Sequence, residues 1–272
     1  MRADVYLVER GVAASRTLAR RLIEAGAVLL DGRPVEKPAQ EVPPGAHTLE
    51  VGESRETRYV GRGGLKLEAA LDAFPVPVAG GVFADIGAST GGFTDCMLQN
   101  GAARVYAVDV GYGQLDWKLR NDPRVVCLER TNARYLDHEQ VPDVLDFASV
   151  DVSFISLTKV LIPARELLRD GGEMVCLIKP QFEAGREKVG KKGVVREPAT
   201  HAEVLHMAQG YAMANHFTPA GLDFSPIKGP EGNIEFLMYV QHSQNPQPLP
   251  EGLIEQTVAN AHAALDKAPN LH

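Results

Sequence analysis

The chain has 272 residues and a formal net charge of −7, with 44% hydrophobic and 23% charged residues. This composition is ordinary for a globular protein, and the length suffices for one large core and one small one. The longest apolar runs, 174–178 and 236–240, are strand-sized, so no membrane helix of roughly 18 apolar residues is expected. The three cysteines lack CxxC spacing, and no apolar leader opens the chain. We therefore expect a cytoplasmic protein with reduced thiols and no membrane partner.

Residues 1–52 are predicted to form a small α+β unit. A helix over 3–9 precedes a second helix in the segment SRTLARRLIEAG, which Ser15 caps and Gly26 ends. The segment AVLLDGRPV then predicts two short strands around Asp31-Gly32, because this dipeptide is a strong tight-turn signal. A local cluster of positive charge on the second helix suits a polyanionic partner. The candidate RNA-contacting residues of this unit are Arg16, Arg20 and Arg21.

A different pattern follows a charged and polar linker at 53–61. In the segment 62–241, helical stretches alternate with buried strands, which is typical of a doubly wound, mostly parallel sheet. Strands are predicted at 82–86, 104–109, 124–128, 144–150, 173–178, 219–225 and 234–241, and the main helices at 65–74, 91–100, 114–120, 156–168 and 199–214. Only SPIKGPEGN separates the last two strands, so we expect them to pair antiparallel. The remaining 242–272 form a tail with one helix at 251–265.

The segment DIGASTGGF is a glycine loop that follows the first strand of the predicted sheet. It lacks the lysine of a phosphate-binding P-loop, and its glycine spacing fits the GxGxxG dinucleotide motif poorly. An acid followed by GxxxGG instead favours the S-adenosylmethionine loop of class I methyltransferases. Asp109, 24 residues after Asp85, ends the next strand, where an acid can accept both hydroxyls of an adenosine ribose. The candidate cofactor residues are Asp85, Gly87, Ser89, Thr90, Gly91, Gly92, Phe93, Asp109 and Asn132.

Four charged residues stand where a doubly wound sheet presents its active edge. Lys66 opens the helix before the first strand, while Asp151 and Lys179 follow the ends of buried strands. Glu235 begins the last strand. The glycine-hinged segment after Lys179 is rich in lysine, and lysine side chains supply sequence-independent contacts to RNA phosphates. In this segment the candidate RNA-binding residues are Lys188, Lys191 and Lys192.

The order Lys66, Asp151, Lys179, Glu235 resembles the K-D-K-E tetrad of the FtsJ-like ribose 2′-O-methyltransferases, and SRTLARRLIEAGAVLLDG resembles an S4 RNA-binding domain. With GRGGLKL, DIGASTGGFTD, VDVSFISL, KPQFE and GPEGNIEFL, residues 1–241 resemble the TlyA family, often labelled hemolysin A. The resemblance implies a Rossmann-like class I methyltransferase domain behind an S4-like domain. It also implies methyl transfer from S-adenosylmethionine to a ribose 2′-hydroxyl of ribosomal RNA, in TlyA proteins a cytidine.

The tetrad implies roles without a metal ion. Lys179 would be central, either as a neutral base or as an ammonium group that stabilises the developing alkoxide. Burial lowers the pKa of a lysine and neighbouring carboxylates raise it, so the sequence leaves both roles open. Asp151 and Glu235 would orient the lysines, and Lys66 would steady the ribose or a phosphate.

Three alternatives compete with this interpretation. A base methyltransferase acting on an amino group would carry (N/D)PP(Y/F) after the fourth strand, where this chain has DVSFISL. One acting on cytosine C5 would place a cysteine on a loop, whereas Cys176 lies within a predicted strand. An RNA-binding protein with an inactive methyltransferase domain would bind the cofactor without turnover. A pore-forming hemolysin would leave the glycine loop unexplained.

Overall fold

The computed structural model describes residues 1–13, 16–45, 47–52, 58–153 and 156–266. The chain divides into two compact units, Met1–Arg62 and Gly63–His272. The predicted cap Ser15 and most of the predicted linker, 53–57, lie outside the described residues. No helix in the described part of the chain is long and apolar enough to cross a membrane.

The first unit contains two helices and a three-stranded sheet. The helices are α1 (Ala3–Glu9) and α2 (Arg16–Glu24), and the strands are β1 (Val28–Leu30), β2 (Arg33–Pro34) and β3 (Leu49–Val51), in the order β2-β1-β3. Both predicted helices and the predicted hairpin are confirmed. Asp31 and Gly32 have φ values of 52° and 72°, as a type I′ turn between two twisted strands requires. Ala19, Leu22 and Ile23 of α2 are buried in the core of this unit.

The second unit is built on a seven-stranded sheet. Its strands are β4 (Val82–Ile86), β5 (Arg104–Val108), β6 (Val125–Leu128), β7 (Leu145–Val150), β8 (Leu168–Ile178), β9 (Phe217–Phe224) and β10 (Phe236–His242). The order is β6-β5-β4-β7-β8-β10-β9, and the first five strands are parallel. Strand β10 is antiparallel to both β8 and β9, which confirms the predicted terminal hairpin. The predicted doubly wound sheet is therefore confirmed.

The helices of this unit are α3 (Gly63–Ala73), α4 (Gly92–Gln99), α5 (Trp117–Arg120), α6 (Leu161–Leu167), α7 (Pro180–Glu183), α8 (Pro198–Ala214) and α9 (Leu253–Leu265). The helix predicted over 156–168 is divided into a 3₁₀ turn over 157–159 and α6. Pro163 lies in the first turn of α6, where a missing N–H costs no hydrogen bond. Strand β8 begins at Leu168, five residues before the predicted start at 173, and three of the added residues, Arg169, Asp170 and Gly171, are exposed.

Helix α9 confirms the helix predicted at 251–265 and belongs to the core of the second unit. Ile254, Val258, Ala261 and Leu265 recur at helical spacing and are buried in the same cluster as the sheet residues. Helix α9 therefore packs on the sheet of the second unit.

Candidate active site

Asp85 lies near the end of β4, and its side chain is hydrogen-bonded to Thr94, which directly follows the glycine loop. Its carboxylate is wholly buried and accepts hydrogen bonds from Thr94 N–H at 2.9 Å and Thr94 Oγ1 at 2.7 Å. Ser149 Oγ on the adjacent strand β7 donates to it at 3.3 Å. Burial raises the pKa of Asp85 to about 7. Asp85 thus fixes the start of α4 to the sheet. Its side chain supports the glycine loop, so its connection with the region predicted to bind the cofactor is indirect.

A cavity of about 340 Å³ opens beside this loop at the carboxyl ends of β4, β5 and β7. Four of the predicted cofactor residues line it: Gly87, Ser89, Asp109 and Asn132. The sequence analysis missed several others, among them Val110, Gln114, Thr131 and Ser153. These side chains follow the strand ends and carry no motif of their own, so strand-end position was the one signal that could have identified them.

The rest of the predicted cofactor set shapes the loop. A Cβ on Gly91 would lie 2.3 Å from Leu119 Cδ1, so a side chain there would collide with the packing of α5. Phe93 is buried, and a Cβ on Gly63 would lie 3.3 Å from its ring. Thr90 is exposed, and its carbonyl accepts a hydrogen bond from Asp116 N–H. Gly92 is the buried first residue of α4. Thr90, Gly91, Gly92 and Phe93 are not among the residues that line the cavity.

Gly87 lies where the glycine loop approaches the loop that carries Asp151. Its φ is +92°, and a Cβ at this position would lie 2.3 Å from the carbonyl oxygen of Asp151. Only glycine fits such an approach in this backbone conformation. The glycine loop and the loop that carries Asp151 are therefore in direct contact.

Asp109 presents its carboxylate to the cavity from the end of β5. Its oxygens accept hydrogen bonds from Ser89 N–H and Gly111 N–H, both at 2.7 Å. A carboxylate oxygen has a second lone-pair site, so both oxygens can still accept hydrogen bonds from vicinal hydroxyls. A fixed diol acceptor beside a glycine loop fits the ribose and amino-acid parts of S-adenosylmethionine. Asp109, Gly87 and Ser89 would hold this cofactor, which supplies an electrophilic methyl group.

The four tetrad residues form two ion pairs. Lys66 Nζ of α3 lies 2.5 Å from Glu235 Oε2, and both side chains are almost fully buried. Lys179 Nζ lies 2.5 Å from Asp151 Oδ1 and donates to Ser153 Oγ at 2.8 Å. Each lysine is thus held by a specific carboxylate.

Strand register explains why the two pairs meet at one edge. Asp151 and Lys179 follow the carboxyl ends of the adjacent parallel strands β7 and β8. Phe236 of β10 pairs with Ile178 of β8, so Glu235 and Lys179 leave the sheet at the same level. Asp151 also lines the cavity that contains Asp109. The structure therefore brings the tetrad to the border of the proposed cofactor site.

The three arginines predicted to contact RNA differ in their surroundings. Arg16 and Arg20 are about three-fifths exposed. Arg16 Nη2 donates to buried Asp4 at 2.9 Å, and Arg20 lies 3.8 Å from Glu24. Arg21 instead donates to the carbonyls of Tyr59 and Val60 at 3.1 and 3.0 Å, and burial lowers the pKa of its guanidinium.

Asp4 also binds Arg2, a cation that the sequence analysis did not select. Arg2 donates to both carboxylate oxygens, at 2.9 and 3.1 Å, and holds the pKa of Asp4 well below its usual range together with Arg16. The guanidinium groups of Arg2 and Arg16, each roughly half exposed, therefore share the buried carboxylate of Asp4.

The basic segment of the second unit borders a second cavity, of about 450 Å³. Its charged lining residues are Lys188, Lys191, Lys192, Arg196 and Glu197. Lys188 Nζ is paired with Glu203 at 2.5 Å, whereas Lys191 and Lys192 are exposed at the tip of a turn. Positive charge thus dominates the wall of this cavity.

Comparisons with known proteins agree with the fold. The family model for the S4 domain matches residues 1–47, and that for FtsJ-like methyltransferases matches residues 59–242. YqxC of Bacillus subtilis, provisionally named an rRNA methyltransferase, is 50% identical over 268 residues, which cover 97% of this chain and 95% of its own. The 16S/23S rRNA (cytidine-2′-O)-methyltransferase TlyA of Mycobacterium tuberculosis is 44% identical over 98% of both chains.

A solved structure from Streptococcus thermophilus, named for hemolysins, aligns with a TM-score of 0.79 and 46% identity. It covers 98% of this chain, and the alignment spans 97% of its own. Two family models thus match successive parts of the chain, and these relatives align along almost the whole of it. The chain belongs to the FtsJ-like methyltransferase family and carries an S4 domain at its amino end.

Proposed function

We propose that this protein transfers a methyl group from S-adenosylmethionine to the ribose 2′-hydroxyl of a cytidine in ribosomal RNA. The observation that carries the proposal is the pair of lysine–carboxylate contacts, Lys66–Glu235 and Lys179–Asp151, beside the cavity that Asp109 lines. The relative named for cytidine-2′-O methylation of rRNA matches along almost the whole chain, which supports the choice of nucleotide and RNA. An enzyme with this substrate would work in the cytoplasm, where ribosomes are modified.

The chemistry requires a group that manages the proton of the hydroxyl. A ribose 2′-hydroxyl is a poor nucleophile near neutral pH and must lose its proton as its oxygen attacks the methyl carbon. Lys179 Nζ is held between Asp151 and Ser153. As a neutral amine it would take the proton, and as an ammonium group it would stabilise the negative charge on the oxygen.

Lys66 and Glu235 have a supporting role in this proposal. Both are almost fully buried, and an unpaired charge at such a site would be costly. Glu235 therefore fixes the ammonium group of Lys66 at the edge of the sheet, where it can steady the ribose or an adjacent phosphate.

In the proposed domain organisation, residues 1–52 would form the RNA-binding domain, 53–61 a linker and 62–241 the methyltransferase domain.

RNA contact is assigned to two groups of cations. Arg16, Arg20 and Arg21 are the candidates in the first unit, and the exposure of Arg16 and Arg20 favours these two for phosphate contact. Lys188, Lys191 and Lys192 are the candidates in the second unit, where they line one cavity. A structured rRNA element, read by shape as well as by its bases, is the expected substrate.

The test uses tritiated S-adenosylmethionine with purified ribosomal subunits and naked rRNA, followed by digestion to nucleosides. We expect label in 2′-O-methylcytidine with the wild type and with the control Arg104→Ala. Arg104 begins β5, at the end of the strand away from Asp109. Lys179→Ala should lose this label while it retains RNA binding. Label on a base would assign a base methyltransferase instead, and cofactor binding without label would indicate an inactive domain.

A second variant separates the two roles of Lys179. Arginine keeps the positive charge but does not release its proton in proteins. If Lys179 acts as an ammonium group, Lys179→Arg should keep part of the activity, and if Lys179 is the base it should be as inactive as Lys179→Ala. The binding of S-adenosylmethionine, measured by calorimetry, should be similar in all variants, because Lys179 is not among the residues that line the cofactor cavity.

A further inference from the structure

Asn233 is a wholly buried side chain that joins two loops of the second unit. Its Oδ1 accepts a hydrogen bond from Val195 N–H at 3.0 Å, and its Nδ2 donates to the Gly193 carbonyl at 2.9 Å. Both ends of the amide are thus used, and both bonds go to the backbone of one short segment. The amide of Asn233 thus satisfies a backbone N–H and a backbone carbonyl of this segment, as a neighbouring strand would, and holds the segment in place.

On one side of this bridge stands a tight turn over 190–193. Gly193 N–H donates to the Gly190 carbonyl at 2.8 Å, and Gly190 N–H donates to the Val194 carbonyl at 3.1 Å. The positive φ of Gly193, +74°, closes the turn and is unfavourable for other residues. The turn therefore holds Lys191 and Lys192 at its tip, on the wall of the basic cavity.

On the other side stands the carboxylate of the proposed tetrad. Asn233 precedes Glu235 by two residues, and its own carbonyl accepts a hydrogen bond from Gly229 N–H at 2.9 Å. A Cβ on Gly229 would lie 2.6 Å from Glu235 Oε1, so the carboxylate packs directly on this connection. Glu235 in turn binds Lys66. One amide thus links the lysine turn to the segment that seats the tetrad.

We propose that Asn233 is a positioning residue for RNA: it holds the lysine turn over 190–193 at a fixed place relative to Glu235. A phosphate bound by Lys191 and Lys192 is then held in register with the tetrad, so the ribose of a nearby nucleotide is presented at a defined distance from Lys179. This inference rests on the proposed function, because it assumes that the lysine turn binds the RNA that is methylated.

The test is a double-mutant cycle between Asn233→Ala and the pair Lys191→Ala/Lys192→Ala. The readouts are the affinity for naked rRNA, its dependence on salt, and the KM and kcat for methylation of that RNA. Loss of the two lysines should lower the slope of log K against log salt by about 1 to 2 units, since each phosphate contact contributes about 0.7 to 0.9. Asn233→Ala should lower it too, although it removes no charge.

In the background without the two lysines, Asn233→Ala should have little further effect, because no cation is left to position. In the wild-type background it should raise the KM for RNA about tenfold, the scale of a lost buried hydrogen bond. The affinity for S-adenosylmethionine should stay unchanged, since Asn233 is absent from the lining of the cofactor cavity. Asn260→Ala, a change of an exposed asparagine on α9, is the matched control.

The inference would be overturned if the effects of Asn233→Ala and of the lysine pair on RNA affinity were independent, so that their fold-changes multiplied in the combined variant. It would also be overturned if Asn233→Ala left the salt slope unchanged. It would also fail if the lysine pair had no effect on RNA binding. Should Asn233→Ala not fold, Asn233→Ser takes its place in the cycle, because serine is uncharged and too short to bond both Val195 N–H and the Gly193 carbonyl. Failure of the proposed function is a separate outcome, since it shows as absence of 2′-O-methylcytidine with the wild type.

Discussion

The carboxyl group of Asp85 shows how burial can separate a motif residue from the ligand that the motif serves. The sequence correctly predicts an acid at the end of the first sheet strand, but the structure uses that acid for Thr94 and Ser149. Its accepted hydrogen bonds favour the charged form, yet the loss of solvent outweighs them and raises its pKa to about 7. A spacing pattern records that an acid is present and carries no information on its solvation.

This shift gives a stability prediction for Asp85→Asn. Between pH values of about 4 and 7, Asp85 is protonated in the folded protein and ionised in the unfolded chain, so folding takes up a proton. The free energy of unfolding therefore falls as the pH rises through this window and is level above it. The amide of the substituted side chain does not titrate, so the variant should gain stability relative to the wild type, by on the order of 4 kcal/mol at pH 8 for a shift of about three units.

Urea unfolding of the protein without cofactor, at pH 5 and pH 8, checks this prediction. The gain of Asp85→Asn over the wild type should be roughly 2 kcal/mol at pH 5 and roughly 4 kcal/mol at pH 8. A gain that is the same at both pH values would mean that Asp85 is ionised in the folded protein throughout the range. Glu231→Gln, a change of an exposed carboxylate in the same unit, provides the control.

At the scale of elements, the strands of the second unit were predictable because each is a short apolar run bounded by turn residues. Their order was not, since periodicity does not say which strands pair. The start of β8 was missed because Arg169 and Asp170 are polar and lie in an exposed part of the strand, where no apolar pattern marks it. Helix α9 was predicted as a helix of the tail, but the sequence did not identify the surface on which it packs.

The packing of α9 predicts a stability cost for changes on its buried face. Ile254 and Val258 are 3% exposed and belong to the core cluster that contains the sheet residues. Ile254→Ala should destabilise the second unit by roughly 2 to 5 kcal/mol and Val258→Ala by somewhat less, since each leaves a cavity. Asn260→Ala on the exposed face should change stability by less than about 0.5 kcal/mol.

Chemical unfolding followed by circular dichroism would measure these effects. Equal, small effects of the buried and exposed changes would contradict the packing of α9. Because this helix lies outside the cofactor cavity, Ile254→Ala should retain the affinity for S-adenosylmethionine at temperatures where it is folded.

At the scale of the whole molecule, the residues proposed for catalysis lie in one unit, whereas those proposed for RNA contact lie in both. The proposed tetrad and cofactor cavity belong to Gly63–His272, as do Lys188, Lys191 and Lys192, while Arg16 and Arg20 belong to Met1–Arg62. The sequence selected both sets of residues from motifs, but it treated the three arginines of α2 as equivalent. The structure distinguishes them, because the guanidinium group of Arg21 donates hydrogen bonds to the backbone carbonyls of Tyr59 and Val60.

Arg16→Ala combined with Arg20→Ala should therefore weaken RNA binding without altering the cofactor site. Two exposed guanidinium groups removed from phosphate contact should lower the salt slope by about 1 to 2 units. Arg21→Ala should act differently: it leaves the Tyr59 and Val60 carbonyls without this donor and should destabilise the first unit.

Filter binding to naked rRNA at several salt concentrations, with calorimetry for S-adenosylmethionine, distinguishes these outcomes. The double variant should lose RNA affinity with an unchanged cofactor dissociation constant, and loss of the Arg16–Asp4 hydrogen bond should lower its melting temperature only slightly, because Arg2 still binds Asp4. Arg104→Ala, a change of an arginine of similar exposure in the second unit, is the control for a general loss of positive charge. If the double variant bound RNA with the salt slope of the wild type, Arg16 and Arg20 would not contact phosphate. Recognition would then fall to other residues, with Arg2 beside Asp4 the first to test.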